Sequence, residues 1–334
     1  MKNTDKIAVI GGGSWGTAVA QLIASNGNEV MLYLRDRELA GEINEKQVNT
    51  KYFPDFKLSE RITAVTDLKT AVAENNIIFI AVPSFYFRKL IKKTSSYLTP
   101  DKIMVSLTKG LEIKTYFTMS KIIKDETCIK LTGVMSGPNL ALEIMKKQPA
   151  ATVIASKFDF VIKKISKLIA SDRFMVFAQK DVIGVEIAGA LKNVIAIASG
   201  IGDGMGLGIN TTSFLVTMGI NEIKYLALKL GSRPETFHGI AGIGDLMATS
   251  FSDSSRNYKF GRLIGMSRTP EDALNEINQT VEGYETTKVA YMFSKSIGIK
   301  MPILEAVYRI LYKGENVGNV IKELLKIRKD FLWE

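Results

Sequence analysis

A glycine-rich turn near the start of the chain places the strongest constraint on its fold. The apolar run over residues 6–10 is typical of a buried parallel strand, and a GxGxxG pattern that begins at Gly11 follows it directly. The apolar periodicity of residues 15–25 predicts a helix, and residues 29–34 predict the next strand. A strand, a glycine turn, a helix and a strand within about 30 residues form the unit that binds dinucleotides.

Each glycine of this pattern has its own expected role. Gly11 permits the tight turn, Gly13 lets a pyrophosphate approach the backbone, and Gly16 lets the helix pack closely on the strand. The phosphates would lie at the helix N-terminus, where unpaired N–H groups and the helix dipole favour anions. A glycine-rich turn in some other α/β fold is the alternative.

The end of the second strand bears on which nicotinamide dinucleotide binds. An acidic side chain about 20 positions after the glycines usually holds a ribose hydroxyl, whereas an arginine suits the 2′-phosphate of NADP. Here Arg35 precedes Asp36, so the sequence favours NADPH, while Asp36 leaves the use of NADH open. A solvated charge at the end of a strand is the alternative role for Arg35.

Further apolar runs predict that the sheet continues to about residue 180. The runs 76–82, 102–107 and 132–135 each end in a turn of small residues, where ligands of open α/β sheets collect. Lys109 directly follows one of these strands and is a candidate anion contact, with a solvated surface lysine as the alternative. The predicted strands are 76–82, 102–107, 132–135, 151–155 and 174–177.

Strand signals disappear beyond this point, and helices joined by glycine-rich turns follow. We therefore expect an α/β fold, in which a Rossmann-like doubly wound sheet domain is followed by an all-helical C-terminal domain. The dinucleotide-binding domain is expected over residues 1–180 and the helical substrate-binding domain over residues 181–334. Residues 322–334 predict an amphipathic basic helix that packs on the core, or that contacts a membrane surface or a second subunit.

Residues 182–201 form a long apolar run that predicts either a membrane span or a buried helix. Glu186 and Lys192 near its middle would be costly in lipid, which favours the buried helix. Lys192 then has no obvious solvated face, and its small helical neighbours leave room for a ligand to approach the amine. Desolvation lowers the pKa of a lysine and can make it a proton carrier. The alternative is that Lys192 pairs with Glu186 or extends to the surface.

Charge and composition limit the partners and the location of the chain. Its 44 Lys and Arg against 34 Asp and Glu give a net charge of +10, which suits anionic ligands. The basic residues are scattered, so we expect neither nucleic-acid binding nor stable membrane insertion. A single cysteine and a single histidine leave little for a metal site. With no disulfide and no signal peptide in this sequence, we expect a cytoplasmic location.

Several motifs taken together resemble the NAD(P)-dependent glycerol-3-phosphate dehydrogenases of bacterial type. They follow one another in the expected order from Gly11 to Lys288. The motifs are GGGSWGTAVA, AVPS, SLTKGLE, SGPNLALE, GVEIAGALKNVIAIASGIGDGMGLG, TFHGIAGIGDLMAT, SSRNYKFG and VEGYETTK.

The resemblance implies reversible reduction of dihydroxyacetone phosphate by NAD(P)H to sn-glycerol 3-phosphate, a supply step for glycerophospholipids. It implies that Lys192 donates and accepts the proton, that Lys109 and Asp245 are catalytic with it, and that a homodimer forms. The implied substrate contacts are Lys109, Gly137, Asn139, Lys192, Asp245, Ser255, Arg256 and Asn257. The implied cofactor contacts are Gly11, Gly13, Ser14, Trp15, Gly16, Arg35, Lys109, Ala141, Arg256, Thr280 and Glu282.

The chemistry of these residues agrees with the roles that the resemblance implies. Arg256 is a planar, bidentate donor of the kind that a phosphate dianion requires. The carboxylate of Asp245 can orient a lysine amine, although an aspartate after glycines is more often a helix N-cap. Lys109 and Lys192 could together stabilise negative charge on a carbonyl oxygen.

The sequence also departs from the family pattern and leaves other functions open. Asn139 stands where the family usually has Ser or Thr, and its amide can still donate a hydrogen bond. Another small phosphorylated or acidic carbonyl compound is a second candidate substrate. A nucleotide-binding sensor that has lost its chemistry is the third hypothesis, and it predicts loss of Lys192, Lys109 or Asp245, all of which are present.

Overall fold

The computed structural model describes residues 5–324 and 326, which form two compact units. The first unit contains the chain up to Glu112 and Phe117–Glu186. The second contains Ile113–Tyr116 and the chain from Ile187 onward. The four-residue excursion Ile113–Tyr116 therefore belongs to the second unit, although the chain on either side of it belongs to the first.

An eight-stranded, largely parallel sheet forms the centre of the first unit. The strands are β1 (Ile7–Ile10), β2 (Val30–Tyr33), β5 (Ile62–Val65), β6 (Ile77–Ile80), β7 (Ile103–Ser106), β8 (Leu131–Ser136), β9 (Ala150–Ala155) and β10 (Phe174–Gln179). Their spatial order is β10-β9-β8-β7-β6-β1-β2-β5, and only the pair β8 and β9 is antiparallel. The strand order reverses at β1, which lies between β2 and β6, and ligands of open α/β sheets bind at such a point.

Helices cover both faces of this sheet, because its central strands are apolar on both sides. In β1 and β6 every residue is buried, which is the pattern of a parallel strand between two helical layers. One core contains Val9, Ile23 and Ile165, and a second on the opposite face contains Ile10, Phe87 and Ile122. The helices are α1 (Ser14–Ser25), α2 (Arg37–Lys46), α3 (Leu68–Ala73), α4 (Ser84–Thr94), α5 (Met119–Glu126), α6 (Ala141–Met145) and α7 (Asp159–Ile169).

The predicted Rossmann-like sheet is confirmed, with three strands that the sequence analysis did not identify. Two of them form a separate antiparallel hairpin of β3 (Val48–Asn49) and β4 (Phe53–Lys57). Most of β4 is exposed and contains a proline, so it lacks the apolar pattern of a core strand. The third strand, β5, lies at the edge of the sheet and alternates between buried and less buried positions.

The second unit is helical, and the described chain beyond Gln179 contains no strand. Its first helix, α8 (Val182–Gly204), is long and apolar enough to cross a membrane, but 89% of its most apolar window is buried. The other helices are α9 (Ile209–Lys229), α10 (Asp245–Ser250), α11 (Arg256–Gly265), α12 (Pro270–Ile277), α13 (Glu282–Ser296), α14 (Pro302–Lys313) and α15 (Val317–Leu324). The remainder of the predicted C-terminal helix, residues 325 and 327–334, lies outside the described residues.

Glycines allow α8 and α11 to touch backbone to backbone. A Cβ atom on Gly261 of α11 would lie 2.1 Å from the Ile197 carbonyl oxygen of α8. A Cβ atom on Gly200 of α8 would likewise lie 2.1 Å from the Tyr258 carbonyl oxygen of α11. Because no side chain fits at these positions, the contact sets the position of the N-terminus of α11 against α8.

A buried carboxylate joins α9 to the start of α14. Glu222 is 5% exposed and accepts hydrogen bonds from the N–H groups of Ile303 at 2.7 Å and Leu304 at 3.3 Å. These are two of the donors that a helix N-terminus leaves without intrahelical partners. Burial raises the pKa of the Glu222 carboxyl to about 8, and this effect outweighs the two N–H groups, which lower it.

Replacement of Gly261 tests the close contact between the helices. We expect Gly261→Ala to lower the free energy of unfolding by about 1–3 kcal/mol, because the two backbones must move apart. The matched control is Gly202→Ala on α8, where the new Cβ atom meets only a Leu215 methyl group at 3.6 Å. Urea unfolding measures both, and equal stability of the two variants would contradict the interpretation.

Glu222 predicts a specific dependence of stability on pH. Its folded pKa is above its unfolded value of about 4.3, so the folded chain binds an additional proton between about pH 4.3 and pH 8. The contribution of Glu222 to the free energy of unfolding is therefore complete below that window and is lost as the pH rises through it. We expect urea unfolding of Glu222→Gln at pH 5, 6.5 and 8 to show a flatter profile than the unmodified chain. The control is Glu276→Gln, at an exposed position. If the free energy of unfolding depended on pH equally in Glu222→Gln, in the control and in the unmodified chain, this expectation would be contradicted.

Candidate active site

The glycine turn after β1 has the backbone geometry that a dinucleotide requires. Gly11 has a φ of +123°, and a Cβ atom there would lie 2.2 Å from the Ala81 carbonyl oxygen. A Cβ atom on Gly16 would lie 1.8 Å from the Gly11 carbonyl oxygen, so α1 approaches the turn as closely as a glycine allows. A Cβ atom on Gly13 would meet nothing within 4 Å, so there is open space beside this part of the turn.

The open side of the turn coincides with the start of α1. The helix begins at Ser14, and its N-cap residue Gly13 has no side chain to satisfy the first N–H groups. Trp15 is half-buried and packs against the core under the turn. Unsatisfied donors beside open space fit the pyrophosphate of NAD(P), the group that the sequence analysis places here.

The structure gives Arg35 and Asp36 different environments at the end of β2. Asp36 is the N-cap of α2, and its carboxylate accepts from the Leu39 N–H at 3.2 Å. The Arg35 guanidinium lies 5.5 Å from the centre of the Tyr86 ring and forms no ion pair within the described residues. The arginine is therefore available to an anion, whereas the aspartate already has a structural partner.

Lys109 lies on a loop that a half-buried ion pair fixes in place. Its ammonium donates to the Gly137 carbonyl oxygen at 3.1 Å, which joins the loops after β7 and β8. Three residues later, Glu112 binds Arg88 of α4 through two bonds of 2.6 and 2.7 Å. Such a bidentate pair holds both side chains in one geometry, and it therefore fixes the loop on which Lys109 lies.

Asn139, in the loop after β8, is hydrogen-bonded to the sheet of the first unit. The Asn139 amide nitrogen donates to the Thr152 hydroxyl at 3.0 Å, and that hydroxyl donates to the Ser136 carbonyl oxygen. The Asn139 amide oxygen is buried without a partner among the described residues. Ala141 is the first residue of α6 and packs against the core.

Lys192 in the middle of α8 forms a buried cluster with two residues of α10. Its ammonium donates to the carboxylate of Asp245 and to the hydroxyl of Thr249. All three are nearly buried, with exposures of 7% for Lys192, 1% for Asp245 and 6% for Thr249. The Thr249 hydroxyl in turn donates to the Asp245 carbonyl oxygen at 2.7 Å. A charged amine is thus held in one position by an opposite charge and a neutral hydroxyl.

The alternative pairing of Lys192 with Glu186 does not occur. Glu186 accepts from the N–H of Ser120 at 2.8 Å and from its hydroxyl at 2.6 Å. Burial raises the pKa of the Glu186 carboxyl. Asp245 is the first residue of α10, but its side chain does not cap that helix and binds the lysine instead.

A chain of amides runs beside the lysine cluster. The Gly283 N–H donates to the Asn257 side-chain oxygen at 2.8 Å, and the Asn257 amide donates to the Asn193 side-chain oxygen at 3.0 Å. Asn193 directly follows Lys192, and its own amide nitrogen is buried without a partner in the described part of the chain. These hydrogen bonds therefore tie residues 255–257, here called the SRN motif, to the residue next to Lys192.

The N-terminus of α11 presents the remaining residues of the SRN motif. Ser255 is the N-cap of this helix, and its hydroxyl accepts from the Tyr258 N–H at 3.3 Å. Arg256 is exposed and makes no ion pair or hydrogen bond with another described residue. Thr280 is exposed just before α13, and Glu282 is the first residue of that helix. A free guanidinium beside a helix N-terminus is suited to a phosphate.

Three residues of the site, Thr249, Asn193 and Arg88, were not predicted from the sequence. Thr249 follows Asp245 by four positions, so a helix at this point would have placed both on one face. Asn193 belongs to the same motif as Lys192. The role of Arg88 could not be recognised from the sequence around it, because its partner Glu112 lies on another element. Within the described residues, no group of three or more His, Cys, Asp or Glu could hold a metal ion.

The sheet and the glycine turn are those of a dinucleotide-binding protein of the Rossmann type. Comparison with known proteins identifies the family. The family model described as the N-terminus of NAD-dependent glycerol-3-phosphate dehydrogenase matches residues 6–180, and the model of its C-terminus matches residues 181–322. The chain therefore belongs to the NAD-dependent glycerol-3-phosphate dehydrogenase family.

Individual relatives support the same assignment over nearly the full chain. A glycerol-3-phosphate dehydrogenase [NAD(P)+] of Halothermothrix orenii is 42% identical over 96% of this chain and 95% of its own length. One from Acinetobacter baumannii is 43% identical over 97% of this chain and 91% of its own length. The crystal structure of glycerol-3-phosphate dehydrogenase from Coxiella burnetii has a TM-score of 0.93 and 33% identity, and covers 97% of this chain and 99% of that one.

Proposed function

We propose that the chain catalyses the reversible reduction of dihydroxyacetone phosphate by NAD(P)H to sn-glycerol 3-phosphate. The observation that carries the proposal is the arrangement around Lys192. A buried ammonium is held by Asp245 and Thr249, and the next residue is hydrogen-bonded to the motif that contains Arg256. A proton donor and a phosphate ligand on one unit are what a phosphorylated ketone requires.

In this proposal the first unit binds the dinucleotide, which supplies a hydride when bound in its reduced form. Gly11, Gly13 and Gly16 shape the turn, and the free N–H groups near Ser14 bind the pyrophosphate. Arg35 binds the 2′-phosphate, so we propose that NADPH is preferred over NADH. The other proposed cofactor contacts are Trp15, Lys109, Ala141, Arg256, Thr280 and Glu282.

Lys192 is the proton donor and acceptor in this mechanism. During reduction its ammonium donates a proton to the substrate carbonyl oxygen, and during oxidation its amine accepts the proton from the hydroxyl. Asp245 stabilises the ammonium and keeps it oriented, and the Thr249 hydroxyl fixes a second direction. Lys109 contributes positive charge that stabilises the developing negative charge on the oxygen.

Phosphate recognition is proposed for the N-terminus of α11. Arg256 supplies a bidentate donor, and the Ser255 hydroxyl and the Asn257 amide lie on either side of it in sequence. Gly137 and Asn139 are proposed as contacts to the remainder of the substrate. The Asn139 amide nitrogen already binds Thr152, so its unpartnered oxygen is the atom left to accept a hydrogen bond.

The proposed context is cytoplasmic supply of sn-glycerol 3-phosphate for glycerophospholipid synthesis. We propose residues 1–180 as the dinucleotide-binding domain and residues 181–334 as the substrate-binding domain, in agreement with the division at residue 180 between the two family models. A homodimer without nucleic-acid or membrane partners completes the proposal, and the oligomeric state can be measured by light scattering.

The first experiment follows reduced-nicotinamide absorbance with dihydroxyacetone phosphate and purified protein. We expect rapid oxidation of NADPH that depends on the phosphorylated ketone and falls by about 10²–10⁴-fold in Lys192→Arg. The guanidinium preserves a cation beside Asp245 but does not release a proton near neutral pH. Cofactor binding, measured by fluorescence, should persist. Turnover of Lys192→Arg near that of the unmodified chain would remove the lysine from proton transfer.

Replacement of Arg35 tests the cofactor preference. We expect Arg35→Ala to raise the KM for NADPH by about ten-fold or more and to leave the KM for NADH nearly unchanged, because only NADPH has the 2′-phosphate. The control is Arg37→Ala, an exposed arginine in the first turn of α2. If the ratio of the two KM values stays constant in Arg35→Ala, another residue binds the 2′-phosphate.

A further inference from the structure

We propose that Asn49 is a positioning residue that fixes the glycine turn in the conformation that binds the dinucleotide. The inference rests on the cofactor role proposed above for that turn. Asn49 lies in the short strand β3, outside every motif of the sequence analysis, and its side chain is fully buried. It is 37 residues from the turn in sequence, yet it contacts the turn directly.

The contacts of Asn49 converge on one carbonyl group of the turn. Its amide nitrogen donates to the Gly12 carbonyl oxygen at 3.2 Å and to the Thr17 hydroxyl at 2.9 Å. The Thr17 hydroxyl donates to the same Gly12 oxygen at 3.4 Å, and the Thr17 N–H donates to the Gly13 oxygen at 2.9 Å. Asn49 and Thr17 together therefore hold two successive carbonyl groups of the turn.

Fixing the Gly12 carbonyl also fixes the N–H group of Gly13. The two groups belong to one planar, trans peptide unit, so they point in opposite directions. Because buried side chains hold the carbonyl oxygen, the N–H must point away from them. Gly13 is the glycine beside which a Cβ atom would meet nothing within 4 Å. The buried asparagine thus directs a backbone donor to the side of the turn proposed to receive the pyrophosphate.

The other end of the Asn49 amide indicates that the donor is what matters at this position. Its side-chain oxygen is buried without a partner among the described residues. An unsatisfied buried acceptor is unfavourable, and an apolar side chain of similar volume would avoid that cost. Only the nitrogen makes contacts, and both of its acceptors lie in or beside the glycine turn.

The test measures direct binding of NADPH and NADH by nicotinamide fluorescence, without substrate. We expect Asn49→Ala to raise both dissociation constants by about ten-fold and to leave their ratio unchanged, because both cofactors share the pyrophosphate. Thr17→Val should raise both dissociation constants in the same way. Thr17→Ser keeps the hydroxyl and should therefore bind both cofactors as the unmodified chain does. In turnover assays, the KM for the cofactor should change more than kcat.

Asn44→Ala is the control for loss of side-chain hydrogen bonds elsewhere in the first unit, although Asn44 is exposed and Asn49 is buried. Asn44 also makes two hydrogen bonds to backbone, with the Ala64 oxygen at 3.0 Å and the Ala64 N–H at 2.8 Å, but it does not contact the turn. We expect Asn44→Ala to bind both cofactors normally, even if its thermal stability falls as far as that of Asn49→Ala. Unchanged cofactor affinity in Asn49→Ala, or equal weakening in Asn44→Ala, would overturn the inference. Failure of the unmodified chain to bind either cofactor would instead overturn the proposed function.

Discussion

The ion pair between Lys192 and Asp245 is the interaction on which the second unit is organised. A buried charge is unfavourable unless an opposite charge and further hydrogen bonds compensate for it, and Thr249 supplies the further bond. The pair therefore requires α8 and α10 to meet at one register. The glycine contact of α11 with α8 then brings Asn257 within hydrogen-bonding distance of Asn193. Direct contact between the backbones of α8 and α11 thus places Asn257 beside Asn193, which is 64 residues earlier in the chain and next to Lys192.

Local periodicity was sufficient to predict the sheet and the long helix. The strands that the sequence analysis identified are apolar runs flanked by small-residue turns, and in the central ones both faces are buried, so their pattern does not depend on distant parts of the chain. The hairpin of β3 and β4 was missed because its stability comes from pairing and from contacts such as that of Asn49 with the turn. The short strand β5 is defined by its pairing with β2, which its sequence does not reveal.

The charged residues of the candidate site could be predicted from sequence motifs, whereas their partners are known only from the contacts in the structure. Lys192 is conspicuous in the sequence because it is a charge within a long apolar run. Asp245 and Arg256 were named through the family resemblance, since their local sequence alone indicates a helix N-cap and a polar turn. The partner of each charge could not be named, since Glu186 was as plausible for Lys192 as Asp245. Supporting residues such as Arg88 are ordinary in their local sequence, and their role follows only from the element that they contact.

The excursion Ile113–Tyr116 makes the two units less modular than their sequence ranges suggest. Within the second unit, the ring of Tyr116 stacks on Phe293 with centres 5.0 Å apart, although its neighbour Phe117 belongs to the first unit. The chain therefore passes between the units three times rather than once. A chimera joined at residue 180 would combine a helical unit from one parent with four residues of that unit from the other. Recombination between relatives is thus constrained to exchange this tetrapeptide and the surface around Phe293 together.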